Sequence, residues 1–212
     1  MKNIVIFGDS YSTFSGYVPE GYAVYYKPEG RKETDVTRVE QTWWHRLTLD
    51  MGLEIVRNDS WSGTTICHTG YDGDDYSKIS FVARLDRLAD EGFFSQNEID
   101  TVLVFGGTND SWADSPLGEL KEHGQTREEL FCVLPAIGYM GTRLRELLPK
   151  ARILFIINTE LKSEIGEAIR TTAARCGAEC VALCDVDKMC GHPTVRGMGE
   201  IFEQVKRALL RG

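Results

Sequence analysis

The sequence predicts an α/β fold, a three-layer α/β/α sandwich around a five-stranded parallel sheet in the order 2-1-3-4-5. Two observations carry that expectation. Five apolar runs of strand length, at 3–7, 53–57, 101–105, 151–157 and 179–183, alternate with helical periodicity or long loops. The most apolar of these runs match strands covered by helices on both faces. Right-handed crossovers between such strands give the doubly wound order. A chain of 212 residues is long enough to bury about 70% of its unfolded surface in one core. No internal repeat, low-complexity tract or linker divides it, so a single domain over 1–212 is expected.

The elements follow in order. Asn3-Ile4-Val5-Ile6-Phe7 is the first strand. Residues 11–40 then run about thirty positions without clear periodicity and carry Tyr11, Phe14, Tyr17, Tyr22, Tyr25 and Tyr26 with Pro19 and Pro28. A stretch of that length inside a domain is usually functional or mobile. Two readings stand open: a substrate-binding lid, or a loop that anchors itself by burying its tyrosines over the sheet edge. Helical periodicity covers 42–51 up to Gly52 and 77–91 up to Gly92. In the first of these, the adjacent Trp43 and Trp44 point in different directions, so at most one faces a site and the other packs in the core. A helix over 126–148 opens with Thr126 three residues before Glu129, a capping box, and Pro135 kinks or restarts it. Ser163 is the expected N-cap of a helix over 163–176 ending at Gly177, and 194–210 forms the last helix.

Composition excludes several classes. Lys and Arg number 24 against 32 Asp and Glu, a net charge of −8, with no basic cluster to track a phosphate backbone. Nucleic acid and anionic membranes are therefore not expected partners. The longest apolar runs, such as Ile153–Ile157, fall far short of the roughly 20 residues that span a bilayer. Met1-Lys2 leads directly into the first strand, leaving no room for a secretory signal, and a cytoplasmic location is expected. The six cysteines include no C-x-x-C pair and are expected as reduced thiols. Cys176, Cys180, Cys184 and Cys190 near His192 do not read as zinc ligands, because Cys180 and Cys184 flank Ala182 on a strand pattern and are expected as small buried hydrophobes. No metal or cofactor is expected.

Four segments carry chemistry. Gly8-Asp9-Ser10 places a hydroxyl at the carboxyl end of the first strand, where open α/β sheets present reactive groups. The others are Asn58-Asp59-Ser60-Trp61-Ser62-Gly63, Gly106-Gly107-Thr108-Asn109-Asp110 and His192-Pro193-Thr194-Val195-Arg196-Gly197. Together they resemble the SGNH (GDSL-type) hydrolase family. The resemblance implies a serine ester hydrolase, an acylesterase or deacetylase acting on a small acyl ester, with Ser10 as nucleophile and His192 as general base. It also implies an oxyanion site formed by the backbone N–H groups of Ser10 and Gly63 and the side-chain amide of Asn109. The residue types suit those tasks. An alcohol needs a base within hydrogen-bond reach, and a neutral amide aims donors without adding charge. Pro193 keeps His192 off the helix surface, on a stiffened loop. Asp9 and Asp110 need no functional role, since a carboxylate beside a tight turn commonly accepts local backbone N–H bonds.

The chain departs from the family pattern at one place. The family usually has an aspartate three residues before the histidine, where this chain has Met189. Asp187, five residues before His192, reaches the ring only if the segment is a turn. The alternatives are a backbone carbonyl near Met189 or Cys190, leaving a Ser–His dyad, or another carboxylate. Two other functions stay in view: a catalytically silent binder of acylated ligands, and a flavodoxin-like FMN module built on the same doubly wound sheet. The flavin reading leaves the third and fourth segments unexplained, and Asp9 would sit badly beside a phosphate.

Overall fold

The computed structural model describes residues 2–211; Met1 and Gly212 lie outside them. Five parallel strands, β1 (Asn3–Gly8), β2 (Glu54–Ser60), β3 (Thr101–Phe105), β4 (Arg152–Ile157) and β5 (Glu179–Ala182), form one sheet in the order β2-β1-β3-β4-β5. This is the predicted α/β order. Seven helices accompany it: α1 (Trp43–Met51), α2 (Phe81–Asp90), α3 (Phe93–Gln96), α4 (Thr108–Trp112), α5 (Val133–Leu147), α6 (Ser163–Arg175) and α7 (Val195–Arg211). Two short strands, β6 (Lys188–Met189) and β7 (His192–Pro193), pair as a separate antiparallel hairpin.

The strand residues divide by parity between two cores, as a period of two demands. Val5, Phe7, Val102, Val104, Ile153 and Phe155 pack with α2, α5 and α6 on one face. Ile4, Ile6, Leu103, Phe105, Leu154 and Ile156 pack with α1 and α7 on the other. Each fully buried side chain of this kind is worth roughly 1.5–3 kcal/mol, so the three central strands hold the sandwich together. On the α1/α7 face, Tyr11, Phe14, Tyr25 and Tyr26 join the core. Most of the aromatics of the irregular segment therefore anchor it rather than line a lid. Trp43 and Trp44 are both buried as well, so neither indole opens onto a site.

Several boundaries move for identifiable reasons. The Thr126–Glu129 box forms, with Thr126 N–H on Glu129 Oε2 at 2.9 Å and Glu129 N–H on Thr126 Oγ at 3.3 Å, but it caps only one short 3₁₀ turn. Helix α5 restarts at Val133, leaving Pro135 in its first turn, where a missing N–H loses nothing. Ser80 caps α2 through Ala83 N–H, so the predicted start at 77 was four residues early. Lys162 rather than Ser163 holds the cap position of α6. Strand β5 stops at Ala182, and Cys184 lies exposed beyond it with its thiol on Gln204 instead of in the core. The helices α3 and α4, one turn each, carry too little periodicity to be predicted.

Candidate active site

The carboxyl ends of β1, β2 and β3 deliver the first three segments to one edge. Ser10 opens a 3₁₀ turn (Ser10–Ser12) directly after β1, and Asp9 caps it by accepting Tyr11 N–H at 3.0 Å. Asn58, on β2, donates to Ser12 O at 2.9 Å and accepts from Ser60 Oγ at 2.6 Å, which braces that turn from the neighbouring strand. Gly63 follows with φ of 83°, a left-handed conformation that side chains resist by about 1–2 kcal/mol. Among the described residues its N–H takes no acceptor. Asn109 sits in the first turn of α4, after β3, and is buried. Its Nδ2 donates to Thr64 O at 3.0 Å, leaving one N–H uncommitted, and its Oδ1 accepts from Tyr71 OH at 2.8 Å. Asp110 reaches across to Ile66 N–H at 2.9 Å and Cys67 N–H at 3.2 Å, securing the loop that follows Gly63. These are backbone bonds, as expected, although only those of Asp9 are local in sequence.

His192 comes from the far end of the chain. Residues Cys190 and Gly191, with φ of 49° and 77°, form the two-residue turn of the β6–β7 hairpin; positive φ at both positions is what a type I′ turn requires. The hairpin seats on α7 at Gly197, where any Cβ would overlap the carbonyl oxygen of Asp187. Thr194 then caps α7, its Oγ accepting Gly197 N–H at 3.1 Å. This arrangement brings His192 Nε2 to 3.0 Å from Ser10 Oγ, a hydrogen bond linking residues 182 positions apart. Its Nδ1 faces Cys190 O at 3.3 Å.

Asp187 is not brought to the ring. Its carboxylate accepts from Thr194 Oγ, and its own N–H donates to Glu200 Oε2 at 2.7 Å. The hairpin explains this, because pairing Lys188 with Pro193 and Met189 with His192 turns the chain back two residues after Asp187. Of the alternatives open in the sequence, the Cys190 carbonyl is the group the geometry places at Nδ1. The imidazole pKa falls to about 4: burial disfavours the imidazolium most, the Cys190 carbonyl opposes that shift, and the cations Arg31 and Lys188 add to it. A neutral imidazole beside a serine hydroxyl is the state that can accept its proton.

Two residues escaped sequence reasoning. Tyr71 orients the Asn109 amide from a loop with no motif of its own. Arg84 is fully buried in α2, donating to Asp59 Oδ1 at 2.9 Å, Ile79 O at 2.9 Å, and both Gly8 O and Thr64 Oγ at 3.2 Å. It therefore ties the end of β1 to the Gly63 loop. The signal was present, since Arg84 falls on the apolar face of α2 with Phe81, Leu85 and Leu88, where a charge needs buried partners. At the rim, Trp112 is 40% exposed and meets the His192 ring edge-on at 5.8 Å between centroids.

Comparison with known proteins agrees with this geometry. The family model for GDSL-like lipase/acylhydrolase matches residues 2–209. A structure from Bacteroides ovatus described as a GDSL-like lipase superposes with a TM-score of 0.92 at 40% identity, covering 100% of this chain and 99% of that one. Another so described, from Bacteroides uniformis, gives 0.92 at 42% identity, covering 100% and 96%. The carbohydrate acetylesterase Est24 of Sinorhizobium meliloti shares the fold at 15% identity, with a TM-score of 0.61 and coverage of 100% and 99%. No curated protein matches.

Proposed function

The chain belongs to the GDSL-like lipase/acylhydrolase family and is an ester hydrolase of that type, and from that premise we propose that it works through an acyl-enzyme on Ser10. His192 takes the hydroxyl proton as Ser10 Oγ attacks the ester carbonyl. The oxyanion forms against the N–H groups of Ser10 and Gly63 and the free Nδ2–H of Asn109, and His192 returns the proton to the leaving alcohol. Water, activated by the same imidazole, then releases the acid. The observation that carries this reading is the 3.0 Å contact between Ser10 Oγ and His192 Nε2 in a site that keeps the ring neutral. Cys190 O holds the Nδ1 proton, so the pair works as a dyad.

The substrate we assign is a small acyl ester of a polar alcohol, a carbohydrate among the candidates. The exposed Trp112 indole beside His192 supports this, offering an apolar flat face to a ring next to the leaving oxygen. A fluorophosphonate probe is expected to label Ser10, and Ser10→Ala to abolish both labelling and hydrolysis of short aryl esters. Rates on acetyl, butyryl and octanoyl esters, then on acetylated saccharides, test the substrate. Folded wild-type protein that neither labels nor hydrolyses any of them would leave a silent binder as the reading.

A further inference from the structure

An imidazole turns broadly about χ2, because sp³–sp² torsions have shallow wells. In serine hydrolases with a triad, a carboxylate on Nδ1 removes that freedom. Here the Nδ1 contact is a 3.3 Å bond to the Cys190 carbonyl, longer than the usual 2.9–3.0 Å, and the one nearby acid of the hairpin is taken by Thr194. The tightest contact to the ring is of another kind. Tyr25 lies face to face with His192, centroids 3.6 Å apart and planes 5° from parallel. At that spacing a turn about χ2 drives the imidazole edge into the phenol ring. A half-turn remains possible in the same plane, and only one of its two outcomes sets nitrogens at both Ser10 Oγ and Cys190 O. The stack thus selects the plane, and the carbonyl selects the flip.

Tyr25 is itself held. Its N–H donates to Thr13 Oγ at 2.9 Å, its ring meets Tyr26 edge-on at 4.9 Å, and the Arg31 guanidinium lies 4.4 Å from its centroid. The same loop grips the hairpin elsewhere. Tyr11 OH donates to Gly191 O, Tyr26 OH to Pro193 O at 3.1 Å, and Asp35 Oδ1 accepts Val195 N–H at 2.8 Å. Residues 11–35 therefore clamp 191–195 on both sides of the imidazole.

We propose that Tyr25 is the positioning residue of His192, its ring fixing the plane in which the imidazole exchanges a proton with Ser10 and so doing the orienting work that a carboxylate does in a triad. The inference rests on the reading of His192 as general base. Three variants compared on a short aryl ester separate the two. With Tyr25→Leu, kcat is expected to fall about 10–100-fold with KM changed less than about threefold. Tyr25→Phe keeps the ring and loses only a 3.4 Å bond to Glu33 O, so it is expected to stay within about threefold of wild type. Uncovering the ring also admits water, so the acid limb of kcat/KM in the leucine variant should move from about 4 towards the ordinary 6.5. The charged groups facing the ring, Arg31 and Lys188, are unchanged by the substitution.

Should the leucine variant not fold, the wild-type protein still decides. The carbon-bound ring protons of His192 should resonate upfield of an unstacked histidine, shielded by the phenol face, and should keep that shift in Tyr25→Phe. An inactive His192→Ala beside a folded Tyr25→Leu with wild-type kcat and acid limb would overturn the inference alone, as would unshifted His192 protons. An active His192→Ala would overturn the base reading together with it.

Discussion

Replacing Asp187 by asparagine separates a dyad from a triad. In a serine protease triad the equivalent change lowers turnover about 10⁴-fold, which at 1.36 kcal/mol per tenfold is about 5.4 kcal/mol of lost transition-state stabilisation. In this structure the Asp187 carboxylate serves Thr194 Oγ, and an amide oxygen can accept the same proton. What the substitution removes is the extra strength of a charge-assisted bond at the start of α7, on the order of 1 kcal/mol of stability. We expect kcat to change less than tenfold, while the urea midpoint shifts slightly downwards. The assay is initial-rate hydrolysis of a 4-nitrophenyl ester across pH, with an unfolding curve on the same samples. The wild-type pH profile gives a second reading. His192 accepts a proton only when neutral, and its pKa is lowered to about 4, so activity should persist on the acid side until pH approaches that value. A carboxylate at Nδ1 would instead raise the pKa and bring the acid limb to or above 6.5. A 10³-fold loss in a folded Asp187→Asn, with an acid limb near 7 in the wild type, would refute the dyad.

Tyr71→Phe removes the bond that orients the Asn109 amide, so kcat should fall about tenfold with KM nearly unchanged; Asn109→Ala, which removes the donor itself, should lose about 10²–10³. Steady-state kinetics on both variants checks this, and a Tyr71→Phe indistinguishable from wild type would show that the hydroxyl orients nothing. Asp9 is fully buried, with its pKa pushed up to about 7 chiefly by desolvation, against Tyr11 N–H, which lowers it. Between about 4 and 7 the folded state keeps a proton that the unfolded chain releases, so this group's contribution to stability declines as pH rises through that window. Asp9→Asn should therefore gain on wild type between pH 4.5 and 7.5, by up to about 4 kcal/mol for a shift of about three units, and parallel urea stability curves would contradict it.

The sheet and its order were legible because continuous apolar runs, each followed by helical periodicity, leave few other ways to bury both faces of a strand. Ser10, Asn109 and His192 were legible too, since each lies in a short segment whose glycines and proline disclose an unusual backbone. The rest was decided by contacts between residues remote in the chain. Whether Asp187 meets His192 depends on a two-residue turn at Cys190-Gly191, and cysteine is a poor advertisement for positive φ. Tyr71 on Asn109, Arg84 under Gly8 and Tyr25 against His192 join positions 38, 76 and 167 apart, and no local period records such pairings. Local chemistry thus determined which groups reach the carboxyl edge of the sheet. Only the packed chain decided what holds them there, because the orientation of a side chain is set by the neighbours that tertiary folding brings to it.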